Sequence, residues 1–224
     1  MTLFESLRLW VDPVEREGPE AMAVDEWLLE TAASPVLRIY RWLGNWASVG
    51  YFGALGDARA ALPDVRWVRR WTGGGTVDHR ADWTYTVVAP TGEPLTQLRG
   101  AESYRMVHTA LAEALVHEGI DARLSSGDDA TGAALCFENP VSYDLVGHDG
   151  RKLAGAGQRR TQRGLLHQGS VTDTGKPIDF ARRAESLAGC LAQSWTALDC
   201  QPPSEIIAKK IAARYGREAW TERR

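Results

Sequence analysis

The 224-residue chain is poor in several things, and each shortage narrows its identity. It has 3 cysteines, an odd number with no C-x-x-C spacing, which excludes a disulfide framework and argues against a structural zinc site. Free thiols of this kind suit a reducing, cytoplasmic setting, and one of the three is available for chemistry. No apolar run approaches the ~18 residues that a membrane helix needs. The first dozen residues carry Glu5 and lack a basic segment followed by an apolar stretch, so no signal peptide is expected. Internal repeats, low-complexity tracts and an evident linker are also missing, and one domain over 1–224 is the economical expectation. Neither a Walker A loop nor a dinucleotide fingerprint occurs. With 26 Lys+Arg against 29 Asp+Glu the net charge is −3, and no nucleic-acid motif accompanies it. Neither nucleic acid nor membrane is expected as a partner.

What is present is a soluble, globular composition, 44% hydrophobic and 25% charged, with 9 tryptophans, most of which should be core. Charge is unevenly placed. The stretch from Asp12 to Glu30 is acidic and reads as a solvated face. The stretch 151–163 holds Arg151, Lys152, Arg159, Arg160 and Arg163 without an acid, and would attract phosphate, carboxylate or an acidic protein.

Periodicity predicts strands over Leu3–Val11, Val36–Trp42, Val65–Trp71, Trp83–Ala89 and Leu165–Thr172. A hairpin joins Val141–Val146 to Arg151–Ala156 through Gly147–Gly150. Helices are predicted over Pro19–Ala33 and Glu102–Glu118, then through Phe180, Leu187, Leu191 and Trp195, with a last one from about Ser204. Strands come in clusters instead of alternating with helices, which gives an α+β fold with a mixed, mostly antiparallel sheet flanked by helices.

Three segments can carry chemistry. Arg69-Arg70-Trp71-Thr72-Gly73-Gly74-Gly75-Thr76-Val77-Asp78-His79 follows a strand, and its three glycines let a ligand approach the backbone. A glycine-rich hairpin turn is the bland alternative. Lys152-Leu153-Ala154-Gly155-Ala156-Gly157-Gln158 puts a lysine beside small residues, at the lip of a site if a molecule lies against that backbone. Leu135-Cys136-Phe137-Glu138-Asn139-Pro140 puts a cysteine before a turn. Such a cysteine is either a small buried hydrophobe or a nucleophile of lowered pKa. Cys190 and Cys200 have stronger claims to structural roles.

Together, and in this order, these segments resemble the lipoate–protein ligase and octanoyltransferase family, whose catalytic fold is shared with biotin–protein ligases. Supporting stretches are Ala21-Met22-Ala23-Val24-Asp25-Glu26, the run from Leu37 to Gly53, the Arg-Arg-x-Thr-Gly-Gly-Gly-Thr-Val-x-His run, the lysine segment, and Tyr215-Gly216 with Trp220. Cys136-Phe137-x-x-Pro140-x-x-Tyr143-Asp144 is similar to the cysteine segment of octanoyltransferases of the Gram-positive type. One departure is Gln168, where many relatives carry His.

The resemblance implies an acyltransferase that moves an octanoyl or lipoyl group from a carrier-protein thioester through Cys136 to a lysine of a lipoyl domain, without cofactor. Lys152 is the implied second catalytic group. Arg69, Arg70, Thr72, Gly73, Gly74, Gly75, His79, Gly155, Ala156 and His167 are the implied substrate-binding residues, and no metal is expected. Trp71 and the Trp83 region are candidate walls for the acyl chain, and His79 or His167 is a candidate acceptor of the incoming lysine's proton. Implied partners are acyl-carrier protein and lipoyl-domain proteins, such as the glycine-cleavage H protein or E2 subunits, met by a monomer. The alternative within the family is an ATP- and Mg²⁺-dependent ligase. Absence of room for the ligases' accessory C-terminal domain favours the transferase. A non-catalytic lipoyl-cargo binder is the third possibility.

Overall fold

The computed structural model describes residues 2–127, 141–175 and 177–223. The Cys136 segment therefore lies outside the described residues. In chain order the first half runs β1 (Phe4–Val11), α1 (Gly18–Thr31), β2 (Val36–Tyr40), β3 (Trp46–Val49), α2 (Gly56–Ala61), β4 (Arg66–Arg69), β5 (Thr76–Asp78) and β6 (Trp83–Pro90). Then follow α3 (Pro94–Gln97), α4 (Gly100–His117), β7 (Arg123–Leu124), β8 (Leu145–Val146), β9 (Lys152–Thr161) and β10 (Gly164–Val171). The chain continues through α5 (Phe180–Leu191), β11 (Ala192–Ala197), α6 (Ser204–Lys210), a π-helical turn (Ile211–Tyr215) and α7 (Glu218–Thr221).

An eight-stranded sheet has the order β11-β1-β2-β6-β10-β9-β8-β7, and a three-stranded sheet has the order β4-β3-β5. In the large sheet only β11-β1 and β1-β2 are parallel; the pairs from β2 onward are antiparallel. The α+β expectation of a mixed, mostly antiparallel sheet is met.

Alternation along the strands sends neighbouring side chains to opposite faces and creates two cores. Leu37, Ile39, Trp83, Tyr85 and Val87 face α4 and α5, packing on Val107, Leu111, Leu115, Leu187 and Leu191. Val36, Tyr40, Val88 and Leu166 face α1 and the C-terminal helices, packing on Met22, Leu28, Ile207 and Tyr215. Each such aliphatic or aromatic side chain contributes ~1.5–3 kcal/mol on burial. α1 starts on Gly18 and Pro19, where a proline's missing N–H is harmless.

Two sequence expectations change. Trp195 is not the end of a helical stripe: α5 stops at Leu191, and Trp195 lies on β11, paired in parallel with Leu7. Leu187, Leu191 and Trp195 keep a four-residue spacing across the junction, which mimics a longer helix.

The acidic stretch is a solvated face only at Glu15, Glu17 and Glu30. Asp12 and Asp25 are buried around Arg38, whose guanidinium donates to Asp12 Oδ2 at 2.8 Å and Asp25 Oδ1 at 2.6 Å. Burial pushes the Asp12 carboxyl up, but Arg16 and Arg38 more than offset it and hold it below its ordinary value. Glu26, also buried, takes Lys210 at 3.0 Å, Arg214 at 2.5 Å and the Tyr215 hydroxyl at 2.5 Å. Carboxylates on α1 thus hold the sheet on one side and the C-terminal helices on the other.

Candidate active site

The glycine run leaves β4 and fills a seam between the two sheets. Its backbone is held by Tyr51 N–H to Thr72 O (2.8 Å), Gly50 N–H to Gly75 O (3.2 Å) and Gly73 N–H to Gln158 O (3.4 Å). A methyl group on Gly50 would lie 2.0 Å from the Gly74 carbonyl oxygen, and one on Gly157 would lie 2.3 Å from that of Gly73. The seam therefore closes only because three segments present bare backbone to each other. Gly74 itself has φ +91, a left-handed value that favours glycine.

Arg70 clips this loop, donating to Gly75 O at 2.8 Å and Gly73 O at 3.3 Å, and it also donates to Ser48 Oγ. Ser48 lies 2.6 Å from His79 Nε2, and His79 Nδ1 lies 2.7 Å from Asp82 Oδ2. The Asp82 carboxylate accepts from Nδ1–H, which turns Nε2 toward the Ser48 hydroxyl. His79 also stacks on Trp42 with centroids 3.9 Å apart.

Between the glycine loop, β9 and α1 lies a narrow slot. Met22, Tyr40, Trp42 and Val77 give it apolar walls, Gly74, Gly75, Gly155, Ala156 and Gly157 give it backbone, and Arg70, His79, Thr84, Gln168 and Ser170 give it polar groups. Gln168 Oε1 accepts from Thr72 Oγ1 at 2.7 Å, and its Nε2 donates to Asp25 Oδ2 at 2.7 Å, which ties the glycine loop to the Arg38 ion cluster. A second hollow, lined by Gly100, Tyr104, Val141, Ser142 and Tyr143, meets the slot at Gly74, Ala156 and Gly157. Its Val141 to Tyr143 wall follows the Cys136 segment directly in the chain.

Lys152 sits behind this junction rather than at a lip. Its side chain is 2% exposed and its Nζ lies 2.6 Å from Asp144 Oδ2, inside a side chain 1% exposed. Asp144 also accepts from the Tyr104 hydroxyl at 2.5 Å and from Val141 N–H at 2.9 Å, while Ala156 N–H donates to the Tyr104 oxygen at 2.9 Å. Burial and the Asp144 charge push the Tyr104 phenol well above its ordinary range, so it stays a donor. A methyl on Gly155 would lie 2.7 Å from Lys152 Cε, so the small residue at 155 is what lets the lysine pass beneath the backbone.

Of the residues expected from sequence, Arg70, Gly74, Gly75, His79, Gly155 and Ala156 line one slot; Thr72 and Gly73 pack immediately against it. Arg69 does not join them. It is 1% exposed and gives its N–H groups to the carbonyls of Gly50, Tyr51, Gly53, Trp220, Thr221 and Arg223, fastening the C-terminal helix. Adjacent strand residues face opposite ways, so Arg69 and Arg70 cannot share a site.

His167 fails for the same reason. Gln168 and Ser170 face the slot, whereas His167 faces the opposite core, with Nε2 3.2 Å from Tyr85 Oη and Nδ1 3.0 Å from Gln158 Nε2. Burial, and then nearby His108, holds its pKa well below the ordinary value. Trp83 belongs to that same core, and Trp71 packs beneath Arg159 and Arg214. Neither walls the slot; Trp42 and Met22 do. Of the basic stretch, Lys152 is paired, Arg151 donates to Asp173 O at 2.5 Å and Arg160 to Thr96 O at 2.9 Å. Sequence reasoning also passed over Ser48, Asp82 and Tyr104.

Residues 17–196 match the family described as Lipoyl protein ligase A/B catalytic domain. The chain belongs to this family. Among its relatives, the octanoyltransferase LipM of Symbiobacterium thermophilum is 36% identical over 189 residues, 76% of this chain and 67% of that one. The LipM of Carboxydothermus hydrogenoformans is 33% identical over 171 residues, 72% of this chain and 63% of the relative. The matched part of the chain thus spans about two thirds of these relatives' length. Among solved structures, a lipoate-protein ligase A bound with ATP has a TM-score of 0.77 at 18% identity, covering 98% of this chain and 99% of that one. A bi-partite lipoate protein ligase from Thermoplasma acidophilum, described with its E2 lipoyl domain, has a TM-score of 0.74 at 17% identity, covering 98% and 96%. These likenesses show a common fold. No described helix is long and apolar enough to cross a membrane.

Proposed function

We propose that this protein is an octanoyltransferase of protein lipoylation, working in the cytoplasm through an acyl-cysteine. The observation that carries the reading is the junction at Gly74, Ala156 and Gly157. There an apolar slot suited to an acyl chain meets a groove whose wall continues the Cys136 segment, with Lys152 buried just beneath. The relatives named octanoyltransferase supply the reaction class.

In the first step the Cys136 thiolate attacks the carbonyl carbon of an octanoyl thioester on acyl-carrier protein. The carbon–sulfur bond to the carrier breaks, and the carrier leaves as a thiol after taking a proton. In the second step the neutral ε-amine of a lipoyl-domain lysine attacks octanoyl-Cys136. An amide bond forms, the thioester breaks, and the amine's proton ends on the departing cysteine. Exchange between thioesters is nearly isoenergetic and amide formation is downhill, so no nucleotide is consumed.

Lys152 supplies positive charge that favours the Cys136 thiolate and the developing oxyanion, and Asp144 fixes the direction of its ammonium. Arg70 holds the glycine loop whose backbone lines the acyl path. His79, engaged at both nitrogens, locks Arg70 through Ser48. The acceptor is a lipoyl domain of the kind described with the Thermoplasma acidophilum ligase.

The test is octanoylation of an apo lipoyl domain by the purified chain with octanoyl-carrier protein and no ATP, followed by intact mass. Transfer is expected, and Cys136→Ser should abolish it. Activity that instead requires free octanoate, ATP and Mg²⁺ and survives Cys136→Ser would establish the ligase reaction and overturn the proposal.

A further inference from the structure

The turn that presents Asp144 to Lys152 is strained. Tyr143 has φ +72, the left-handed region, and among the described residues it is the one non-glycine there. Five hydrogen bonds hold the turn: Asp144 N–H to Val141 O at 3.0 Å and Val141 N–H to Asp144 Oδ2 at 2.9 Å close it, Tyr143 N–H to Ser125 O at 2.9 Å and Ser125 N–H to Asp144 O at 2.7 Å tie it to the neighbouring segment, and a side chain from α4, His108, has Nδ1 2.6 Å from Tyr143 O. A carbonyl only accepts, so Nδ1 carries the ring proton.

His108 is an odd choice for its place. It is fully buried on a helix whose other buried residues are Val107, Ala110, Leu111, Ala114 and Leu115 with Ser103 in the first turn, and its Nε2 has no hydrogen-bond partner among the described residues. A leucine would fill the space without an unpartnered Nε2 but would take the donor from the Tyr143 carbonyl, so the Nδ1–H bond to Tyr143 is what the imidazole supplies. The ring lies 4.2 Å from Tyr104 on its own helix and 5.6 Å from His167 on β10, and Asp144 and Lys152 are the charged groups beside it. Burial pushes its pKa down to about 4, so the donor tautomer persists at neutral pH.

We infer that His108 is a positioning residue for Lys152: by holding the Tyr143 carbonyl it fixes the left-handed turn that aims Asp144 at the lysine ammonium. The inference rests on the proposed catalytic role of Lys152, yet it makes a structural claim that can be read without turnover.

The experiment compares wild type with His108→Leu, which removes the donor, and His108→Asn, whose side-chain amide reproduces the Nδ1–H. Two readouts apply: the rate at which Lys152 is acetylated by the N-hydroxysuccinimide ester of acetate, followed by peptide mass spectrometry, and kcat and KM for octanoyl transfer. Loss of one ordinary hydrogen bond predicts about fivefold faster Lys152 acetylation in the Leu variant. Its kcat should fall with KM for the acyl donor unchanged, and His108→Asn should restore both. Should the Leu variant not fold, His108→Met, which also lacks a donor and adds no charge, takes its place. Wild-type acetylation and kcat in the donor-less variant would overturn the inference, as would an Asn variant equally impaired. If the wild type itself does not transfer octanoyl, the proposed function fails, while Lys152 acetylation still decides whether His108 holds the turn.

Discussion

Lys152→Met separates the structural role of the lysine from its chemical one. The substitution leaves Asp144 with a side chain 1% exposed and no ammonium at 2.6 Å. Removing one partner of a buried ion pair costs about 3–5 kcal/mol, because the remaining charge is stranded. Two donors stay on Asp144, the Tyr104 hydroxyl and Val141 N–H. They place the expected loss at the lower end, about 3 kcal/mol. For a chain of this length that corresponds to a fall in Tm of roughly 6–12 °C.

The double variant Lys152→Met, Asp144→Asn removes both charges and should recover stability to within about 1 kcal/mol of wild type. Octanoyl transfer should be absent from both variants. Urea unfolding followed by tryptophan fluorescence gives the stabilities, and intact mass of the lipoyl domain gives the activity. A single variant as stable as wild type, or a double variant no more stable than the single, would refute the buried-pair argument. Transfer by the double variant would refute the chemical role.

Other perturbations test other parts. Unfolded histidines bind protons as pH falls through 6.5, whereas His108 resists to about 4 because it is buried, so folding should lose about 3 kcal/mol on its account between those values; His108→Asn should flatten the pH dependence of urea unfolding by that amount, and an unchanged slope would contradict it. Arg69→Met takes a donor from six carbonyls, of which Gly50 O keeps Gly53 N–H, and should cost about 3 kcal/mol, with limited proteolysis cutting first near the C-terminal helix that Arg69 fastens. Gly157→Ala drives a methyl to 2.3 Å from Gly73 O and should slow transfer at least about tenfold by displacing the glycine loop. Gly189→Ala, with open space on α5, should leave activity unchanged and raise stability by up to about 1 kcal/mol.

Much of the fold was legible because its long strands alternate and its long helices carry an apolar stripe. β6, β10 and α4 fall close to their expected bounds. β3 and β5 are short, with 4 and 3 residues, too few for a period to show. The buried acids of α1 escaped notice because their partners are distant in sequence: Arg38, Gln168, Lys210, Arg214 and Tyr215 come from four other segments. A local count of charge registers only the imbalance.

In the site, motif residues were located by their neighbourhood in sequence, which brings Arg70, the glycines and His79 together correctly. The same reasoning overreached at Arg69 and His167, where strand alternation decides the matter: each adjoins a slot residue and faces the other way. Lys152 reads as a lip residue because small residues follow it; Gly155, beneath which its side chain passes, and the carboxylate of Asp144 are what let it lie inside. Tyr104 falls within the expected Glu102–Glu118 helix, but nothing local points to Asp144 as its partner, because its hydroxyl's destination is fixed by tertiary packing.

The central claim is a covalent acyl-cysteine at Cys136. The most direct measurement is peptide mass spectrometry of the chain after brief mixing with octanoyl-carrier protein, with no lipoyl domain and no nucleotide. An octanoyl group on Cys136, labile to hydroxylamine and discharged on adding the apo lipoyl domain, is the predicted result. An unmodified Cys136 together with octanoylated lipoyl domain in the complete reaction would contradict it.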